Sequence, residues 1–122
     1  MKTPATSWAC GLRRFIPRAL ILVAMALGGA AAQAADPEVT IIIKDHRFIP
    51  EEVEIPAGVK VKLIVRNEDA TPEEFESYEL NREKIIGGKG QGIVFVGPLK
   101  PGTYPFFGEF NPKTAQGRIL VK

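Results

Sequence analysis

From residue 38 onward, apolar and polar residues alternate in short runs that are bounded by Gly, Pro or Asn. The run VKVKLIVRN at residues 59–67 places its valines and Leu63 on one face and mainly cationic residues on the other. A period of two is typical of a β-strand with one buried face. Comparable runs occur at residues 39–44, 53–55, 74–80, 93–96, 103–107 and 118–122. The spacing predicts an all-β, antiparallel Greek-key sandwich of seven to eight strands without a helix.

The first third of the chain has a different composition. Four cations precede the apolar stretch at residues 19–27, which is too short to span a bilayer, and Ala32-Gln33-Ala34 resembles a cleavage site. These features predict a signal peptide at residues 1–34 and a single domain at residues 35–122. A retained membrane anchor is the alternative. A signal of this kind implies export to the periplasm.

Removal of residues 1–34 would change both charge and cysteine content. The whole chain has a formal net charge of +2, but residues 35–122 contain 12 Lys and Arg against 14 Asp and Glu. A net negative domain gives no indication of nucleic-acid binding. Cys10, the only cysteine, would be lost, and His46 is the only histidine. A thiol nucleophile or an ordinary zinc site is therefore excluded, and no enzyme signature is found.

The segment at residues 97–117, GPLKPGTYPFFGEFNPKTAQG, resembles the copper loop of the cupredoxins. In blue-copper members this loop supplies Cys, His and Met, and those positions correspond to Gly108, Asn111 and Ala115. A further His would fall near Glu73. None of the four copper-binding residue types is present. The resemblance implies a cupredoxin-like scaffold whose site holds another ligand or none, so a copper-binding electron carrier is the weaker alternative.

A narrower resemblance is carried by PEEFESYELNREK at residues 72–84 together with the GEF-x-P-x-TA-x-G loop. Both are similar to the copper-free cupredoxin domain of bacterial iron-uptake systems, namely the N-terminal domain of EfeO and the small periplasmic cupredoxin of FtrABCD-type systems. This resemblance implies an iron-binding protein that assists a membrane iron permease and a periplasmic iron-binding partner. It also implies that Glu74 and Glu76 bind iron, with Glu109 as the third ligand.

The residues themselves leave the orientation of Glu74 and Glu76 open. Side chains two positions apart leave the same face of a strand. If Tyr78 and Leu80 face the core, the two carboxylates point into the mouth of the barrel and need a cation such as iron to neutralise them. If Phe75 is the core residue, both glutamates are solvated. A third interpretation keeps them inward but paired with Arg82, Lys84 or Lys89.

Two further groups complete the predicted site. The cupredoxin resemblance places the turn at Asp45 and His46 on the same rim as residues 73–76 and 109–111. His46 is therefore a candidate metal ligand, whereas Asp45 and Glu73 are candidates for the outer shell. The resulting prediction is a metal site of Glu74, Glu76, Glu109 and His46, with iron preferred and copper as the second choice. A metal-free protein-interaction module on the same scaffold is the remaining hypothesis.

Overall fold

The computed structural model describes residues 1–4, 11, 28–29 and 35–122. The predicted signal peptide at residues 1–34 lies almost entirely outside the described residues, so it stays a prediction. Among the residues that are described, we find no helix long and apolar enough to cross a membrane.

Strands dominate residues 35–122, which confirms the predicted all-β class. The strands are β1 (Glu38–Lys44), β2 (Arg47–Ile49), β3 (Glu52–Ile55), β4 (Val61–Asn67), β5 (Glu73–Ser77), β6 (Arg82–Ile86), β7 (Gln91–Val96), β8 (Gly102–Gly108) and β9 (Gln116–Val121). The described residues thus contain nine strands rather than seven to eight. The two that the pattern did not reveal are β2, which has only three residues, and β6, which is exposed at four of its five positions.

The strands form two sheets, with the orders β2-β1-β4-β7 and β3-β9-β8-β5-β6. Most neighbouring strands are antiparallel, but β1 pairs with β4 and β3 pairs with β9 in parallel. The prediction of a purely antiparallel sandwich is therefore wrong for these two pairs. Alternation along one strand reports which side chains are buried, whereas the direction of its partner depends on how the chain crosses between the sheets.

The core lies between the inner faces of the two sheets. At its centre, Phe48, Phe75 and Phe106 pack with ring centroids 4.9–6.1 Å apart. All three rings are almost completely buried. Edge-to-face and offset packing of this kind adds about 1 kcal/mol per pair to the effect of burial alone. The cluster ties β5 to β8, because Phe75 on β5 stacks on Phe106 on β8 with ring centroids 4.9 Å apart.

Candidate metal centre

The orientation of β5 is set by Phe75. This side chain is fully buried, and Glu73 and Ser77 on the same face are also buried. Tyr78 is 72% exposed, so the interpretation that Tyr78 faces the core and that Glu74 and Glu76 point into the barrel is wrong. The alternative is correct in placing Phe75 in the core, but its expectation that both glutamates are then solvated is wrong for Glu76, which is only 7% exposed. The strand ends at Ser77 and turns, so its alternation does not extend to the residues that follow.

The four positions that the cupredoxin resemblance assigns to copper ligands, namely Glu73, Gly108, Asn111 and Ala115, lie together at one end of the sandwich. Glu73 Oε1 accepts hydrogen bonds from the backbone N–H groups of Phe110 (2.9 Å) and Glu74 (3.0 Å), and Oε2 accepts one from Asn111 Nδ2 (2.7 Å). A Cβ on Gly108 would lie 2.6 Å from the Cβ of Ala115 and 2.7 Å from Cδ of Glu73. The buried carboxylate of Glu73 therefore fills this space and bonds to the loop, and its role in the outer shell of a metal site stays a prediction.

The outer face of β5 carries a different acidic group. Glu74 and Glu76 leave the strand on this face, and Glu83 on β6 lies opposite Glu76 in the register. One carboxylate oxygen from each of these three residues lies within 4.8 Å of the others. Sequence reasoning missed Glu83. The turn at residues 78–81 was the available signal, since a β5–β6 hairpin brings Glu83 beside Glu76.

Glu76 is the least solvated member of this carboxylate group. The residue is only 7% exposed, and its Oε2 is buried without a hydrogen-bond partner. Phe107 lies opposite it on β8, and the ring of Phe107 is 5.4 Å from that of Tyr78. Desolvation raises the pKa of Glu76, and the negative charges of Glu83, Glu109 and Glu74 raise it further. The carboxylate is thus held where a positive charge would stabilise it.

No cation of the described residues neutralises the three carboxylates. The ion pairs within residues 35–122 involve none of Glu74, Glu76 and Glu83. Arg82 Nε instead donates to the carbonyl of Phe95, and Lys89 Nζ donates to the carbonyl of Glu68. The interpretation that Arg82, Lys84 or Lys89 forms a structural salt bridge with the glutamates is therefore wrong.

Glu109 lies beside the carboxylate group but is not one of its three members. Its backbone N–H donates to the carbonyl of Glu74 at 3.0 Å, and its charge contributes to the raised pKa of Glu76. Its own exposed side chain starts at the end of β8. Glu109 is therefore placed to approach the group from the neighbouring loop.

His46 belongs to a separate cluster. It follows β1 in a turn with a φ of 56°, and its backbone N–H donates to Asp69 Oδ2 at 3.0 Å. Asp69 also accepts the N–H of Asp45 at 2.9 Å. The hydrogen bond from the backbone N–H of His46 is the main cause that lowers the pKa of Asp69, and the one from Asp45 lowers it further. The structure thus joins His46 and Asp45 to Asp69, and does not bring either into the carboxylate group.

The chemistry of the carboxylate group is that of an all-oxygen site. Three carboxylates can supply between three and six oxygen ligands to a cation, which suits hard or borderline ions better than soft ones. Residues 35–122 contain no thiolate donor. The donor set of this site therefore differs in kind from one that includes a cysteine sulfur.

Comparison with known proteins agrees with this fold. Residues 17–121 match the model of the cupredoxin-like domain. The uncharacterized protein RP394 of Rickettsia prowazekii (strain Madrid E) is 51% identical over 84 residues, which cover 69% of this chain and 67% of that protein. Identity at this level over 84 residues indicates a common fold and common ancestry for the two proteins.

Two solved structures show the same architecture at low identity. Auracyanin A, a "blue" copper protein from Chloroflexus aurantiacus, superposes with a TM-score of 0.63 and 15% identity over 72% of this chain and 100% of its own. The metal-binding domain of the Streptococcus pneumoniae Cu(I)-exporting ATPase CopA, solved with Cu(I), superposes with a TM-score of 0.60 and 15% identity. The match covers 70% of this chain and 84% of that domain. Both of these proteins bind copper. The chain belongs to the family of cupredoxin-like domains.

Proposed function

We propose that this protein is a periplasmic cupredoxin-like protein that binds iron through Glu74, Glu76 and Glu83 and assists iron uptake through a membrane permease. The observation that carries the proposal is Glu76 Oε2, which is buried, lacks a hydrogen-bond donor and lies in a group of three carboxylates. Like charges brought this close repel each other, and burial makes the repulsion costly. A bound cation would remove both effects.

Iron is favoured over copper by the types of ligand. Oxygen-only sites suit hard and borderline ions, whereas thiolate and thioether ligands select Cu(I). The positions that correspond to blue-copper ligands carry Gly108, Asn111, Ala115 and Glu73. The carboxylate of Glu73 already accepts three hydrogen bonds from the protein. A blue-copper electron carrier is therefore the weaker proposal, and membership of the EfeO-type iron-uptake group is the stronger one.

An iron-delivery role also fits the position of the carboxylate group. The group lies on the outer face of a sheet rather than inside the barrel, so an ion held there is open to a second protein on one side. Exposed apolar side chains lie nearby: Ile85 opposite Glu74, and Phe110 next to Glu109. We expect an iron permease or a periplasmic iron-binding protein to approach from this side.

Anaerobic titration of the purified protein with Fe(II), followed by calorimetry, tests the proposal. We expect one site, and we expect Glu76→Gln to weaken binding about tenfold or more. Glu79→Gln is the matched control, because it makes the same charge change at an exposed position outside the carboxylate group. Equal affinities of the wild-type protein and Glu76→Gln for Fe(II) would refute the assignment.

A metal-free interaction module is the second candidate function, favoured by the apolar side chains around the acidic group. The two functions differ in their response to metal. A ligand at a hundredfold excess over its Kd stabilises the folded state by about 2.7 kcal/mol. Saturating Fe(II) should therefore raise the melting temperature if the protein binds iron. An unchanged melting temperature with Fe(II) and with EDTA would favour the interaction module.

A further inference from the structure

The outer face of the four-stranded sheet is unusual in composition. We call it the cationic face. Inward residues such as Ile41, Leu63 and Val94 are buried in the core, so their strand neighbours point outward. The outward set on β1, β2, β4 and β7 is Glu38, Thr40, Ile42, Lys44, Arg47, Ile49, Lys62, Ile64, Arg66, Gln91, Ile93 and Phe95.

An apolar stripe crosses the cationic face. Ile49, Ile93 and Phe95 are 48%, 42% and 43% exposed, and Ile42 and Ile64 are half-buried between them. The register places Ile64 beside Ile93 and Ile42 beside Ile49, so the stripe reaches all four strands. Nothing in the described part of the chain covers it. Large apolar side chains that share one exposed sheet face are typical of an interaction surface.

The charges of the cationic face oppose those of the domain. Residues 35–122 carry two more acidic than basic residues, yet this face has four cations and one acid, Glu38. Glu38 is paired with Lys62 at 3.0 Å. Among the described residues, Lys44, Arg47 and Arg66 form no ion pair, so their charge is available to a partner. Lys60 lies 4.3 Å from the ring of Phe95 at the edge of this face, but its charge is paired with Asp36 at 3.9 Å.

The size of the cationic face bears on the kind of partner. Four strands about 4.8 Å apart, with outward residues spaced by about 6.8 Å, give an area of about 400 Å². A stable protein interface uses about 800 Å² on each partner. The flat footprint of the sheet face is about half of that accessible area, so this face favours a partner that needs no minimum contact area over a stable dimer. A lipid surface imposes no such requirement, since it is flat, continuous and adapts to side chains that penetrate it.

We propose that the cationic face adsorbs to a membrane surface that contains anionic phospholipids. The aliphatic side chains of Ile49 and Ile93 would enter the headgroup layer, while Lys44, Arg47 and Arg66 would contact lipid phosphates. Clustered Lys and Arg residues attract proteins to anionic membranes, and salt screens the attraction. The inference is independent of the iron site, because it concerns the opposite sheet.

Flotation of the purified protein with lipid vesicles tests the proposal. Vesicles of 30 mol% phosphatidylglycerol in phosphatidylcholine are compared with vesicles of phosphatidylcholine alone, in about 50 mM and about 500 mM salt. We expect binding to the anionic vesicles only, with most of it lost in high salt. Equal binding to both kinds of vesicle, or none to the anionic ones, would overturn the proposal. The latter result would favour an acidic protein as the partner.

Two double variants locate the contact. Arg47→Glu with Arg66→Glu should reduce the bound fraction at least fivefold. Lys100→Glu with Lys113→Glu makes the same change in net charge at exposed positions away from the face, and should bind as the wild-type protein does. An equal loss of vesicle binding in both double variants would show that binding depends only on the net charge of the protein. That result would refute this face as the contact site. If the Glu variant does not fold, Arg47→Gln with Arg66→Gln is compared with Lys100→Gln and Lys113→Gln, which make the same change in net charge.

Discussion

Glu73 and Asn111 are joined by a hydrogen bond of 2.7 Å between Oε2 and Nδ2, at two positions that the resemblance to the cupredoxins assigns to copper ligands. The bond links β5 to the loop between β8 and β9. Glu73 Oε1 extends the connection through the backbone N–H of Phe110. A buried carboxylate with three donors thus joins β5 to the loop between β8 and β9 at this end of the sandwich.

Replacement of Glu73 by Ala should destabilise the protein strongly. The change leaves Asn111 Nδ2 and the N–H groups of Phe110 and Glu74 without their acceptor. Unsatisfied buried polar groups of this number should cost about 3 to 5 kcal/mol of the free energy of unfolding. Urea denaturation measures the change. Glu79→Ala, at an exposed position, should stay within about 0.5 kcal/mol of the wild type, and a similar value for Glu73→Ala would contradict the network.

Gly108 should tolerate no side chain. A Cβ there would lie 2.6 Å from Ala115 and 2.7 Å from the carboxylate of Glu73, so Gly108→Ala should lower the free energy of unfolding by about 1 to 3 kcal/mol. Gly102→Ala is the control on the same strand, because its Cβ would have no atom nearer than 3.6 Å. Chemical denaturation of both variants gives the comparison. Equal stability of the two would show that the contact at Gly108 is not limiting.

The orientation of β5 can be tested with Phe75 and Tyr78. Phe75→Ala removes a fully buried ring from the aromatic cluster and should cost about 3 to 5 kcal/mol. Tyr78→Ala removes a side chain that is 72% exposed and contacts Phe107, and should cost well under about 1.5 kcal/mol. Thermal and urea denaturation measure both. A larger loss for Tyr78→Ala would restore the orientation with the glutamates inside.

Glu76 should make the metal-free protein less stable as the pH rises. Its pKa is raised above the ordinary value of 4.5 by desolvation and by neighbouring carboxylates. Its contribution to stability is therefore fully present below pH 4.5 and is lost as the pH rises through the raised pKa. Glu76→Gln does not titrate, so it should melt higher than the wild type at about pH 7 and similarly at about pH 4.

Melting curves in EDTA at the two pH values measure this difference. Glu79→Gln should show no such pH-dependent gain, since its exposed carboxylate lies outside the carboxylate group. A melting temperature of Glu76→Gln that equals the wild-type value at both pH values would show that repulsion within the carboxylate group is negligible.

The sequence predicted some features of the site and not others. The EFES run correctly indicated that Glu74 and Glu76 share a face of one strand, because side-chain alternation is a local property. It could not indicate which face, since Phe75 and Tyr78 are both aromatic and either could be the core residue. Glu83 was missed for a related reason. Its place beside Glu76 depends on the register of the β5–β6 hairpin, which the alternation along β5 alone does not reveal.

The sequence by itself determined the all-β class, the positions of most strands and the cupredoxin-like scaffold, since these follow from local alternation and from recognisable loop residues. Only the tertiary structure decided that Phe75 fills the core, that Glu73 bonds to Asn111, and that three carboxylates meet on the outer face of β5. It also decided that β1 and β4 run parallel and that their outward cations share one face. The physical reason is that burial and register arise from competition among all the strands for one interior, and no single strand encodes the outcome.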